Sequence, residues 1–364
     1  MRNVNYICIF LFGFLFVNGC GLNSLFLDES NLEKVANYYF QPGKENPLSP
    51  EDQYRFLSAK SKENVSLDEW KNLPAGVGLT ASVSVLGEKS QLGNIYSVVS
   101  VTAVSPDKTK KLTEIVTWTW IRENGKWRKL SFPKIREECI KAFESGDYST
   151  AKAKAEEWLS MDPYSIKAYD LLGFAIARSD SSSSPDTDQS LNEIVRAMLA
   201  INPDDSQALD FASLFSETPS IAKSYLQKLE GTTFYEKTAF NYATTKIDDS
   251  DERLKFINGI EATPLLSILK LEALENLINN GSKNYTWNDF KQVSTTEGTF
   301  EKIKEALDES DSSFAALWAG ELGKIFLKAK DDDTARKWLD YGISRDPNNE
   351  SVKALADVLD SQQK

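Results

Sequence analysis

The stretch GDYSTAKAKAEEWLSMDPYS, residues 146–165, decides the character of most of this chain. Its helical run stops at Asp162-Pro163, because proline has no N–H to continue the ladder and its ring clashes with the preceding turn. A second helix follows at once, SIKAYDLLGFAIARSD over 165–180. After a serine-rich loop at 181–184, Ser190 caps LNEIVRAMLAINPDD with Glu193 three residues on, the reciprocal pairing that satisfies two free N–H groups at a helix start. Asn202-Pro203 then closes this second unit. The same order returns in LWAGELGKIFLKAKDDDTARKWLDYGISRDPNNESVKALADVL, residues 317–359, which again stops at an Asp-Pro pair, Asp346-Pro347, before a last helix.

These units resemble tetratricopeptide repeats. In that resemblance Gly146-Asp147-Tyr148 is the turn between two helices and Ala151 the small contact that lets them approach. Tyr169, Leu172 and Gly173 fall where the motif wants bulky, Leu and small residues, and Leu322, Gly323, Phe326, Ala335 and Leu339 carry the late copy. The expected units are 134–165, 166–205 and 316–349, with a capping helix at 350–360. Between them, 206–315 is helical by periodicity, with helices opened by Pro219 and Pro264, but its spacing departs from the repeat and is read as divergent repeats. An irregular helical bundle is the alternative. An α-solenoid exposes a concave face made of its first helices. The resemblance places Arg136, Phe143, Lys167, Asp170, Phe174, Arg178, Lys324 and Lys328 on it. Five of these eight are cations in a region of net charge −14, which fits a groove for an acidic peptide or a C-terminal carboxylate. Charges that merely face solvent would look the same. The carboxylate clamp of chaperone-binding repeats is not matched, because its asparagines are missing.

Outward toward the N-terminus the periodicity changes. Leu32, Val35, Ala36, Tyr39 and Phe40 have helical spacing, Pro50 opens a second helix, and Ser66 with Glu69 caps a third. After Pro74 the period becomes two: GLTASVSVLG, NIYSVVSVTAV, KLTEIVTWTWI and KWRKLSF are rich in β-branched residues and separated by turn residues, Glu123-Asn124-Gly125 among them. Helices followed by an antiparallel meander make an α+β domain over 28–132, ahead of an all-α solenoid over 134–364. YRFLSAKSKENVSLDEWKN (54–72) and WTWIRENGKWRKL (118–130) resemble the nuclear transport factor two-like superfamily. That resemblance implies a curved sheet around a cone-shaped pocket closed by helices. Some members are isomerases or dehydratases that use a pocket His or Asp, and this chain has no histidine. Trp118 and Trp120 share one strand face and Trp127 lies on the next strand. Core packing is the first reading of this trio and a ligand-stacking platform the second. The basic run Lys108, Lys110, Lys111 suits either anionic headgroups or a solvated loop.

The first residues read as a leader. Arg2 is the sole charge before residue 28, and Tyr6–Val17 is almost wholly apolar yet short for a membrane span. Gly19-Cys20 after it resembles a bacterial lipobox, so that a signal peptide of 1–19 would be cleaved and lipid attached to Cys20, followed by a linker of 20–27. An ordinary secretory leader with an incidental cysteine is the alternative. Gly21 is not the inner-membrane-retaining Asp of enteric bacteria, which favours the outer membrane.

Composition narrows the chemistry. Of three cysteines, Cys8 lies in the leader and Cys20 at the lipid site, leaving Cys139 alone in the body, so no intrachain disulfide is expected. Without histidine the usual general base and metal imidazole are missing, and neither cofactor nor metal is expected. Residues 21–133 hold 14 Lys+Arg and 13 Asp+Glu, and 134–364 hold 27 and 41, giving +1 and −14. So acidic a C-terminal region argues against nucleic acid. Ser-x-x-Lys occurs, but without the companion motifs of an acyl enzyme, and there is no phosphate loop, nucleophile elbow or calcium loop. The sequence therefore predicts a non-catalytic, lipid-anchored scaffold of the bacterial cell envelope that binds another envelope protein or peptide. A ligand or histidine-free active site in the first domain is the rival reading, and self-assembly through the repeats the third.

Overall fold

A computed structural model describes residues 27–43, 48–73, 79–91, 93–104, 113–179, 185–216, 218–297 and 299–361. The leader, Cys20, Lys108, Lys110, Lys111 and the serine insertion at 181–184 lie outside the described residues. Two compact units, Met1–Ala208 and Leu209–Lys364, divide the chain.

In the first unit, α1 (Leu32–Phe40), α2 (Pro50–Arg55), α3 (Ala59–Asn64) and α4 (Leu67–Lys71) precede four strands, β1 (Leu79–Gln91), β2 (Asn94–Val104), β3 (Thr113–Glu123) and β4 (Lys126–Lys129). Each helix starts on a side chain that accepts a free N–H: Asn31 from Lys34, Ser49 from Asp52, Ser58 from Ser61, and Ser66 with Glu69 in a reciprocal box. The strands form an antiparallel sheet in the order β1-β2-β3-β4. Asn124 and Gly125, at φ 50° and 78°, close the β3–β4 hairpin, a turn whose twist matches the strands.

Both faces of this sheet are covered, by different partners. Val99, Val101, Trp120 and Trp127 pack with Leu32, Val35, Ala36 and Tyr39 of α1 and with Phe56. The alternate residues Tyr96 and Ile121, with Leu130, pack with Phe132, Ile135, Trp158 and Ala168. The last three of these belong to α5 (Pro133–Glu144), α6 (Tyr148–Met161) and α7 (Ile166–Ser179). The helix-ending turns are stitched to the sheet as well. Asn202, after α8 (Pro185–Ile201), donates to the hydroxyls of Thr117 at 3.0 Å and Ser100 at 3.3 Å, and the Ile115 N–H donates to Ser206 Oγ at 2.9 Å. The compact unit thus runs past the change of composition near residue 133 and ends inside α9 (Ser206–Leu214), because α5, α6 and α7 share a core with the sheet and the turn after α8 is hydrogen-bonded to it.

The second unit continues with α10 (Pro219–Leu229), α11 (Tyr235–Lys246), α12 (Ser250–Asn258), α13 (Pro264–Asn279), α14 (Trp287–Thr296), α15 (Phe300–Asp308), α16 (Ser312–Lys328), α17 (Asp332–Arg345) and α18 (Glu350–Ser361). The turn between α16 and α17 is built like that between α5 and α6. In the earlier turn Gly146 has φ 79°, the Asp147 N–H donates to the Ala142 carbonyl at 2.9 Å, and Asp147 caps Thr150 at 3.0 Å. In the later one Lys330 has φ 60°, the Asp331 N–H donates to the Phe326 carbonyl at 2.9 Å, and Asp331 caps Thr334 at 3.1 Å. A glycine fits the left-handed position without strain; a lysine there carries the cost of its Cβ. Two turns with the same bonds, far apart in sequence, are the mark of a repeat. Packing of α16 on α18 is close: a Cβ added to Gly320 of α16 would meet the Ser351 backbone carbon of α18 at 2.5 Å.

Candidate functional site

The residues singled out from the sequence separate into three environments. Trp120 and Trp127 are 0% and 1% exposed and fill the core between α1 and the sheet. Trp118, two residues along the same strand face, stays half-buried, beyond the end of β4, whose last residue Lys129 lies opposite Trp120.

Around Trp118 a lysine of β4 and a lysine of α7 meet rings from β3 and α1. The Lys129 ammonium lies 3.5 Å from the Trp118 ring centroid, 4.8 Å from that of Tyr39 and 5.6 Å from that of Phe40, and donates to Tyr39 Oη at 3.3 Å. Lys167, near the start of α7, holds its Nζ 5.1 Å from the same Trp118 ring. The backbone of Lys129 is held on both sides. Its N–H donates to the Phe56 carbonyl at 2.8 Å and its own carbonyl accepts from Ser58 at 3.0 Å. The residue is 4% exposed and forms no ion pair among the described residues. Burial, reinforced by the charge of Lys167, pulls its pKa down to about 7. Lys167 is lowered by burial and by Arg136, while Asp205, Glu114 and Asp170 act in the opposite direction.

The sequence reading missed Lys129. The clue was present in KWRKL: strand residues two apart share a face, so an inward Trp127 carries Lys129 inward with it.

The proposed groove residues of the first unit lie on α5 and α7, which pack side by side. Arg136 and Arg178 are exposed, and Phe143 and Phe174 are half-buried. Phe143 stacks edge-on against Tyr148 at 5.4 Å. Asp170 is buried and accepts from Gln207 Nε2 at 2.7 Å, so it braces α7 against the start of α9. Along α7 the order from the sheet end is Lys167, Asp170, Phe174, Arg178, on one stripe at helical spacing.

Lys324 and Lys328, in the second unit, are both paired. Lys324 donates to Glu321 Oε1 and to Ser351 Oγ, each at 2.8 Å. Lys328 lies 2.6 Å from Glu275 Oε1, whose side chain is 4% exposed and also accepts from Asn279. Among the described residues no cluster of three or more His, Cys, Asp or Glu side chains could hold a metal ion, and no helix is long and apolar enough to cross a membrane.

Among solved structures the chain is similar to PilW, a widely conserved type IV pilus biogenesis factor, at 14% identity and TM-score 0.36 over 61% of this chain and 96% of that one. It is also similar to TTC0263, a thermophilic tetratricopeptide protein of Thermus thermophilus, at 12% identity and TM-score 0.30 over 62% and 98%. Human IFIT1 aligns at 15% identity and TM-score 0.33 over 54% of this chain and 46% of that one. No protein-family model matches the chain, and no curated protein sequence does. At these TM-scores the likeness carries no weight for function, and the repeat character rests on the paired turns and helices described above.

Proposed function

We propose that this chain is a non-catalytic scaffold of the bacterial cell envelope, tethered by lipid on Cys20, that holds a protein partner along the first helices of its tetratricopeptide-like repeats. The observation that carries this reading is the stripe on α5 and α7: two exposed arginines, Arg136 and Arg178, flank two half-buried phenylalanines, Phe143 and Phe174. Half-buried aromatics bounded by cations form an anchor for an acidic or carboxylate-ended peptide, with the rings giving grip and the guanidinium groups orientation. A helix laid across one face of a four-stranded meander is in keeping with a nuclear transport factor two-like first domain, which here serves to brace the repeats. The outer membrane is the favoured site of anchoring.

A photo-crosslinking amino acid at Phe174, compared with one at exposed Lys152 on α6, tests the proposal in producing cells. One discrete adduct at Phe174 that vanishes with Arg136→Glu/Arg178→Glu is the expected result. Equal adducts at both positions, or none at Phe174, would refute it.

A further inference from the structure

We infer that the box formed by Lys129, Lys167, Tyr39, Phe40 and Trp118 is a binding site for the carboxylate of a small apolar acid. The geometry is that of a site rather than of a core. Two amines lie near one indole ring, at 3.5 Å and 5.1 Å, and the inner one has no carboxylate paired with it among the described residues. A buried amine lacking a counter-ion is costly, and a core lysine is ordinarily paired with an acid on a neighbouring element. In the second unit the buried charge is Glu275, and the chain gives it Lys328 as counter-ion. Here it supplies rings and a phenol hydroxyl instead.

The ligand class follows from what lines the box. Rings cover one side of the amine, so the bound molecule carries apolar surface as well as charge. Backbone N–H groups and guanidinium forks, the usual phosphate donors, are absent from the immediate box: the Lys129 N–H is already bonded to Phe56, and Arg136 acts on Lys167 only through its field. A carboxylate therefore costs less to desolvate there than a doubly charged phosphate. Its arrival would supply the negative charge that Lys129 lacks among the described residues, add to that already acting on Lys167 from Asp205, Glu114 and Asp170, and draw a proton onto Lys129, whose pKa burial pulls down to about 7. Of the ionisable groups packed around Lys129, Tyr39 from α1 shares its hydrogen bond and Lys167 from α7 repels its charge; Arg136, Asp170, Asp205 and Glu114 act at one remove, on Lys167. The site shares Lys167 with the α7 stripe but uses none of Arg136, Phe143, Phe174 and Arg178, and so stands independently of any protein partner.

Isothermal titration of the full chain with hexanoate, hexanamide and inorganic phosphate tests the assignment. Hexanoate should bind at least tenfold tighter than either of the others, and about tenfold tighter at pH 6 than at pH 8, since Lys129 must be protonated in the complex. Lys129→Met, which keeps the length of the side chain, should abolish both binding and its pH dependence. Lys167→Met, at a site partly open to solvent, should weaken binding tenfold without affecting folding, and so reports even if the inner variant folds poorly. Equal binding of hexanoate and hexanamide, phosphate competing as well as hexanoate, or hexanoate bound unchanged by the Lys167 variant would overturn the inference.

Discussion

The cations of the two units meet opposite surroundings. In the second unit Lys324 and Lys328 lie on carboxylates, with Glu321 and the buried Glu275 as partners. In the sheet-bearing unit Lys129 and Lys167 lie over an indole, and Arg136 and Arg178 face outward. Cations that look alike in sequence therefore meet different surroundings: in one unit they pair with carboxylates within the helical packing, and in the other they lie on rings or face outward. A net charge of one sign over a segment does not tell which of its rarer, opposite charges remain available.

The comparison is broken most forcefully by emptying the cores on which each environment stands. Trp120→Ala in the first unit and Trp338→Ala in the second, both at 0% exposure, should each cost about 3–5 kcal/mol, read as a lowered urea midpoint. Gly320→Ala in α16 should cost about 1–3 kcal/mol, because the added methyl meets Ser351 backbone rather than a flexible side-chain tip.

Removing one lysine from each environment sharpens the contrast. Lys328→Met strands a buried Glu275 and should destabilise by about 1–2 kcal/mol, less than for a fully buried pair because the lysine itself is half-exposed. Lys129→Met removes an unpaired buried amine and should leave stability unchanged or raise it near pH 7. The two should part further with pH. Lys129 has a folded pKa near 7, well below that of the unfolded chain, so between pH 7 and 10 the unfolded state holds the extra proton. The first unit should then gain stability as pH rises, by about 1 kcal/mol per pH unit, and lose it as pH falls toward 7. Chemical denaturation at pH 7 and pH 9 reads this, and Lys129→Met should flatten it.

The smallest effect compares the two matching turns. Lys330→Gly should stabilise by up to about 1 kcal/mol by relieving a left-handed lysine, whereas Gly146→Ala should destabilise by a similar amount.

Much of the architecture was legible because local chemistry carried it. Pro163, Pro203 and Pro347 mark helix ends, Ser66 and Glu69 mark a start, and the period of two after Pro74 marks the strands, all of which the fold contains. What was not legible depends on contacts between distant segments. Asn202 looked like a helix stop and also proves to be a hydrogen-bond donor to Ser100 and Thr117 across the sheet. Lys324 and Lys328 looked available, and only the fold brings Glu275 and Ser351 to them. Lys129 was readable in principle from its spacing to Trp127, but that no carboxylate among the described residues pairs with it is a property of the packed state.

The most direct measurement reverses charge in each environment and follows one crosslinked partner from intact cells at equal abundance of the chain. Arg136→Glu/Arg178→Glu should lose the partner while the urea midpoint stays where it was. Lys324→Glu/Lys328→Glu should keep the partner, at reduced stability, as long as the chain is folded. A partner retained by the first variant and lost by a folded second would place the binding face in the C-terminal unit and contradict the account.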